Sequence, residues 1–331
     1  MRHSKTLLII SVLIGCVALF CPPTSAQDNE KIDYLFPRIP AYRTEGPPIP
    51  PKVLLKVSPP EVPAKLYTYQ VQPIRVDEAY VQRLAAAFGL QEKPQRLQDR
   101  KWEVVEAGES SDQRRSLQIY EASGGLSYMF DNLIFAPVGR QPTLPSDAQA
   151  HQLAVHFLKG KGLLPHDALT EIQQIRLSKP TLTERSAKEK KNLREIVTGI
   201  EVRFPRALDG YRVVGPGSKL YVAFGEGERI LGVTRVWREV KKSDLTLPSI
   251  RPKDALRLLQ QGAGVMDADP ACVRADITRM ELVYWMDSPQ VEQRVSLPVY
   301  RLEGKCVSVE GKVSGEVKAY VPAVLNKRFS K

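Results

Sequence analysis

Between Asp209 and Val240 the chain runs through short stretches of alternating apolar and polar residues, each closed by a turn signal. A side-chain period of two with one apolar face marks a half-buried strand, so this stretch has to pair into a sheet. Leu220, Val222 and Phe224 alternate with Tyr221 and Ala223. Asp209-Gly210 suits a type I′ hairpin, in which both central residues need φ > 0. In Gly215-Pro216-Gly217 the proline presets φ and the second glycine tolerates φ > 0, as a type II turn requires. Gly225-Glu226-Gly227 closes the next hairpin. Leu231, Val233 and Trp237 share one face of the last strand with Arg235 among them, and Ile200, Val202 and Phe204 add a further strand. The expectation is an antiparallel meander with one buried face.

Three helices precede sets of strands. Asp77 is placed to cap the first, whose stripe is Val81, Leu84, Ala85 and Phe88, with Gly89 as its stop. Ser146 and Gln149 form a capping box for the second, with Ala150, Leu153, Ala154 and Phe157 on its stripe. Pro252 suits the first position of the third, which turns Ala255, Leu258 and Leu259 inward. Strands are expected after each, including Trp102–Val105, Ser116–Tyr120, Ile277–Trp285 and Val295–Leu302. The pattern predicts an α+β fold of repeated units, one helix packed on antiparallel sheet each time. The units are expected at residues 66–140, 141–245 and 246–331.

The run from Glu201 to Val240 resembles the extracytoplasmic domains of YycI-type two-component regulatory proteins, and more loosely PepSY-like domains. The likeness is carried by the LDGY and GPGSKL turns, a glycine hairpin before an Ile-containing strand, and the closing WREV. It is firmest over roughly residues 130–240. The resemblance implies a non-enzymatic protein that binds a sensor kinase or another envelope protein. It carries over no functional residue, because the matching positions read as turns and core.

The chain opens with a basic stretch, Met1–Lys5, an apolar run from Leu7 to Cys21, and small residues up to Ala26. This is the pattern of a secretory signal peptide over residues 1–26, with cleavage after Ala26. Leu13-Ile-Gly-Cys16 is a lipoprotein-like alternative, and an uncleaved anchor is another. No later stretch is long and apolar enough to span a bilayer. Residues 27–65 are Pro-rich, read either as an extended stalk or as a strap that packs Val53–Val57 on the folded part. Cleavage leaves Cys272 and Cys306, a natural disulfide pair in an exported chain, with two buried free thiols as the alternative.

Loss of Arg2 and Lys5 lowers the formal net charge from +11 to +9, so anionic cell-surface polymers or lipid head groups are expected to attract the mature chain. Its basic residues are scattered rather than clustered with stacking aromatics, which argues against nucleic acid. His151 and His156 lie five residues apart on one helix, about 140° around it, and cannot share a metal. Gly215–Lys219 lacks the spacing and following helix of a phosphate loop. Asp267 and Asp269 lack the remaining ligands of a calcium loop. Glu184–Glu195 mixes charges and reads as an exposed loop or helical excursion. No cofactor is expected. The function read from the sequence is an exported binding or regulatory protein acting on an envelope protein partner. The alternatives are an envelope hydrolase with an unrecognised site, or a PepSY-like protease inhibitor or chaperone. Aromatic residues and arginine dominate interface hot spots, which makes Tyr211, Tyr221, Arg235 and Arg238 the candidate partner-binding residues.

Overall fold

A computed structural model describes residues 51–108, 114–130, 140–185, 192–262 and 264–324. Residues 1–50, with the expected signal peptide and the start of the Pro-rich segment, lie outside these, as do residues 186–191 of the charge-mixed stretch.

β1 (Lys52–Leu55) and β2 (Lys65–Val71) lead into α1 (Glu78–Ala87), then β3 (Gln95–Arg96), β4 (Lys101–Glu106), β5 (Arg115–Tyr120) and β6 (Leu126–Phe130). α2 (Asp147–Gly160) precedes β7 (Arg176–Ser178), β8 (Thr181–Arg185), β9 (Asn192–Val197) and β10 (Ile200–Arg203). β11 (Ala207–Leu208), β12 (Tyr211–Val214), β13 (Ser218–Phe224), β14 (Ile230–Trp237) and β15 (Val240–Pro248) follow. α3 (Pro252–Gln260), β16 (Val265–Asp267), β17 (Arg274–Trp285), β18 (Val295–Ser296), β19 (Pro298–Val307) and β20 (Val313–Pro322) complete the described chain.

The helices start where their caps place them. Asp77 accepts from the Tyr80 amide at 2.9 Å, Ser146 and Gln149 form the reciprocal capping box, and Pro252 sits in the first turn of α3. The assembly of the strands is not the one expected. The fold is mostly β, with several large sheets, and the described residues do not form repeated helix-on-sheet units. One eight-stranded sheet runs β3-β4-β5-β6-β14-β13-β10-β7, so α1 and α2 share a single sheet and a single core. A seven-stranded sheet runs β11-β12-β17-β19-β20-β16, with β1 also paired to β17. β15-β2-β18 and β8-β9 form two smaller sheets. The reason is physical: alternation tells which face of a strand is buried, and edge groups then pair with whichever strand lies beside them.

Two consequences touch the central stretch. The Asp209-Gly210 turn has φ of 50° and 80°, the type I′ signature, but it joins β11 to β12, and β12 then pairs in parallel with β17. The meander is therefore split between the two large sheets. The second glycine of Gly215-Pro216-Gly217 is not the left-handed one; Gly215 is, at φ 104°. A Cβ on Gly215 would meet the Met286 carbonyl oxygen at 2.3 Å, and one on Gly217 the Asp287 carbonyl oxygen at 1.9 Å. These glycines let the crossover between the sheets lie against the end of β17.

The Lys52–Leu55 part of the Pro-rich segment is a strap, hydrogen-bonded along β17 with Val53 buried in the core beneath α3. Residues 181–185 and 192–197 are strands of one ribbon rather than a loop or helix.

Candidate functional site

α1 and α2 cover one face of the eight-stranded sheet, burying Leu117, Ile119, Val202, Leu220, Val222 and Val233. The opposite face carries the alternate residues. Cross-strand register aligns Arg176, Arg203, Tyr221, Thr234 and Ser127 in one row across β7, β10, β13, β14 and β6. The neighbouring row is Ser178, Glu201, Ala223, Gly232 and Met129.

Over the second row lies an apolar hollow of about 120 Å³, lined by Met129, Glu201, Tyr221, Ala223, Leu231 and Gly232, with Pro180 and Thr198 at its margin. The small residues Ala223 and Gly232 create the depression. A bulge completes it: Ala223 pairs with Gly232, but Phe224 pairs with Ile230, which leaves Leu231 unpaired between them. Ile230 packs towards the helices, while Leu231 lines the hollow. The sequence reading, which put Leu231 on the same face as Val233 and Trp237, missed this phase change.

A second hollow, about 150 Å³, adjoins at Tyr221 and is lined by Arg176, Arg203, Arg212, Ser218 and Lys219. Arg203 lies over the Tyr221 ring, 4.8 Å from its centroid, and donates Nε to Glu201 at 3.0 Å. Ser178 donates to the same carboxylate at 2.9 Å. Arg212 reaches the hollow from β12 of the other large sheet. Burial, then the charge of Arg176, pulls Arg212 below its ordinary pKa.

Behind this face a buried polar clamp joins the two sheets. Asp167 accepts from Arg206 Nε at 2.7 Å and from the Trp237 indole at 2.8 Å. Arg206 also donates to the Arg238 carbonyl at 2.9 Å. Arg238 in turn donates to the carbonyls of Asp287, Ser288 and Val291 at 2.6–2.8 Å. Burial pushes Arg238 down to about 10, and burial raises Asp287 against the opposing pull of the Trp285 indole and Arg238.

The structure separates the four residues expected to bind a partner. Tyr221 alone stands on the outer face, at the meeting of the two hollows. Arg235 lies on the helix-facing side and donates to the Leu163 carbonyl at 3.0 Å. Tyr211 is half-buried, packed towards Tyr284 at 6.4 Å. Arg238 is only 3% exposed, and its two terminal nitrogens are taken up by the carbonyls above while its Nε is left without a partner. Cys272 and Cys306 are joined as a disulfide in the core under α3, with Cα atoms 5.4 Å apart. Sequence reasoning missed Arg176, Arg203, Arg212 and Lys219. Alternation could have placed Arg203 opposite Tyr221, whereas nothing local connects Arg212 to them.

Among the described residues no helix is long and apolar enough to cross a membrane, and no three His, Cys, Asp or Glu side chains group as metal ligands. No family model matches the chain, and no curated protein matches it. Among solved structures it is similar to the crystal structure of an uncharacterized protein from Eubacterium rectale, with 12% identity, 78% of this chain and 83% of that chain covered, and a TM-score of 0.38.

Proposed function

We propose that this chain is an exported, non-enzymatic binding protein that docks an envelope protein partner on the outer face of the eight-stranded sheet, centred on Tyr221. The observation that carries the reading is the junction at Tyr221 of an apolar hollow and a cationic one on a face that none of the three helices covers. Such a surface is complementary to a segment in which an apolar side chain stands beside an acidic group. A disulfide in the core supports an oxidising compartment, in line with the signal-like start of the sequence. The resemblance to YycI-type proteins makes a sensor kinase the partner class to examine first.

A photo-crosslinking residue introduced at Tyr221 or Met129 tests this in intact cells, with Lys318 on the other large sheet as the control position. The expected result is one protein captured from the first two positions and not from the third. Its cross-linked peptide should carry an apolar residue next to an acidic one. Capture that is equal at all three positions, or none, overturns the reading.

A further inference from the structure

Placing two guanidinium groups directly opposite each other on neighbouring strands costs stability, because like charges repel across the pair. β7 and β10 do this with Arg176 and Arg203. Arg203 is answered by Glu201. Arg176, Arg212 and Lys219 have no carboxylate partner among the described residues, although they line the same small hollow. Nearby Glu281 is already held by Arg279 and Arg301. The hollow thus gathers three cations without an ion pair among the described residues, from β7 and β13 of one sheet and β12 of the other, around a space of about 150 Å³.

We propose that this hollow is an anion site for a phosphate group, held between Arg176 and Arg212 with Lys219 as a further donor. Planar guanidinium forks match the tetrahedral oxyanion, and several cations suit a doubly charged group better than a single carboxylate, which one arginine satisfies. Burial first, and then the charge of Arg176, lower Arg212; bound phosphate would offset the second of these, so binding and stability are coupled at this point. Phosphate would take the place proposed above for a partner's acidic group, so the two would compete for this hollow, but phosphate binding to the purified protein needs no partner and can succeed or fail separately from partner capture.

Calorimetric titration of the purified protein with inorganic phosphate, in a chloride buffer of low ionic strength, tests the proposal. One saturable site is expected. Arg176→Gln and Arg212→Gln should each weaken it about ten-fold or more, the loss of a charged hydrogen-bond donor, while Lys318→Gln leaves it unchanged. Arg176 is exposed, so its variant should fold even where Arg212→Gln does not. Phosphate should raise the Tm of the wild type and leave that of the Arg176 variant nearly unmoved. Flotation with phosphatidylcholine vesicles containing phosphatidylglycerol separates the sources of the group. Vesicle binding displaced by inorganic phosphate assigns the site to a lipid headgroup, and no vesicle binding assigns it to a soluble or polymer-borne phosphate. Phosphate binding no tighter than chloride, or unaffected by either arginine substitution, overturns the proposal.

Discussion

Arg238 reaches across the seam between the two large sheets and donates to the main-chain carbonyl of Asp287 at 2.7 Å. The same guanidinium also satisfies Ser288 and Val291, so one side chain at the end of β14 orders the turn that follows β17. Arg238→Met keeps much of the volume and removes every donor. The Ser288 carbonyl keeps the Val291 amide as a donor, but those of Asp287 and Val291 lose theirs at about 1–3 kcal/mol each, so the variant should lose about 3 kcal/mol in urea unfolding.

Alanine at two glycines should separate backbone strain from lack of room. Gly210→Ala meets open space and carries only the penalty of φ 80°, about 1–2 kcal/mol. Gly217→Ala has no such freedom, since its Cβ would sit 1.9 Å from the Asp287 oxygen. That substitution should cost clearly more than Gly210→Ala, about 3 kcal/mol or above, or prevent folding. Paired denaturation curves decide the order.

The Cys272–Cys306 bond closes a loop with a sequence separation of 34. Restricting the unfolded chain over such a loop contributes about 4 kcal/mol in the entropy model. The double Cys→Ala variant should unfold earlier by about that amount, and a reducing agent should bring the wild type close to it. An unchanged urea midpoint on full reduction would contradict this.

Asp287 supplies a pH test. Its folded pKa is raised by burial, so the neutral acid is favoured in the native state. Its contribution is complete below the unfolded value, about 3.9, and is lost as pH rises through the raised folded value. Asp287→Asn removes this titration and retains a side-chain oxygen for the Trp285 indole, which donates to Asp287 at 2.8 Å. The stability of the wild type relative to the variant should therefore fall as pH rises from about 3.9 towards neutrality. Unfolding free energies at a series of pH values check the sign.

Helix starts were legible because a cap is a local device: Asp77 and Ser146 find their amide partners within three residues. The faces of β13 were legible for the same reason, and with them the outward position of Tyr221. Sheet neighbours were not. β12 finds its parallel partner in β17, and β14 finds β6, through pairing that alternation leaves open. Bulges add a second blind spot, since one extra residue near Leu231 reverses the phase of the pattern. Arg238 shows the third. In sequence it is a charged residue beside a tryptophan, and the carbonyls that bury it lie about 50 residues further on.

β1 lies against β17, and β2 is held between β15 and β18. The first described strands therefore have no pairing partners until the last third of the chain exists. As synthesis proceeds from the amino end, α1, α2 and the eight-stranded sheet can close while residues 52–71 wait unpaired. Pairings of such long sequence separation are the slow steps of folding and the ones exposed to misassembly. A chain shortened before β17 would leave β1 as a bare edge, so the seven-stranded sheet should set the tempo at which the whole molecule becomes native.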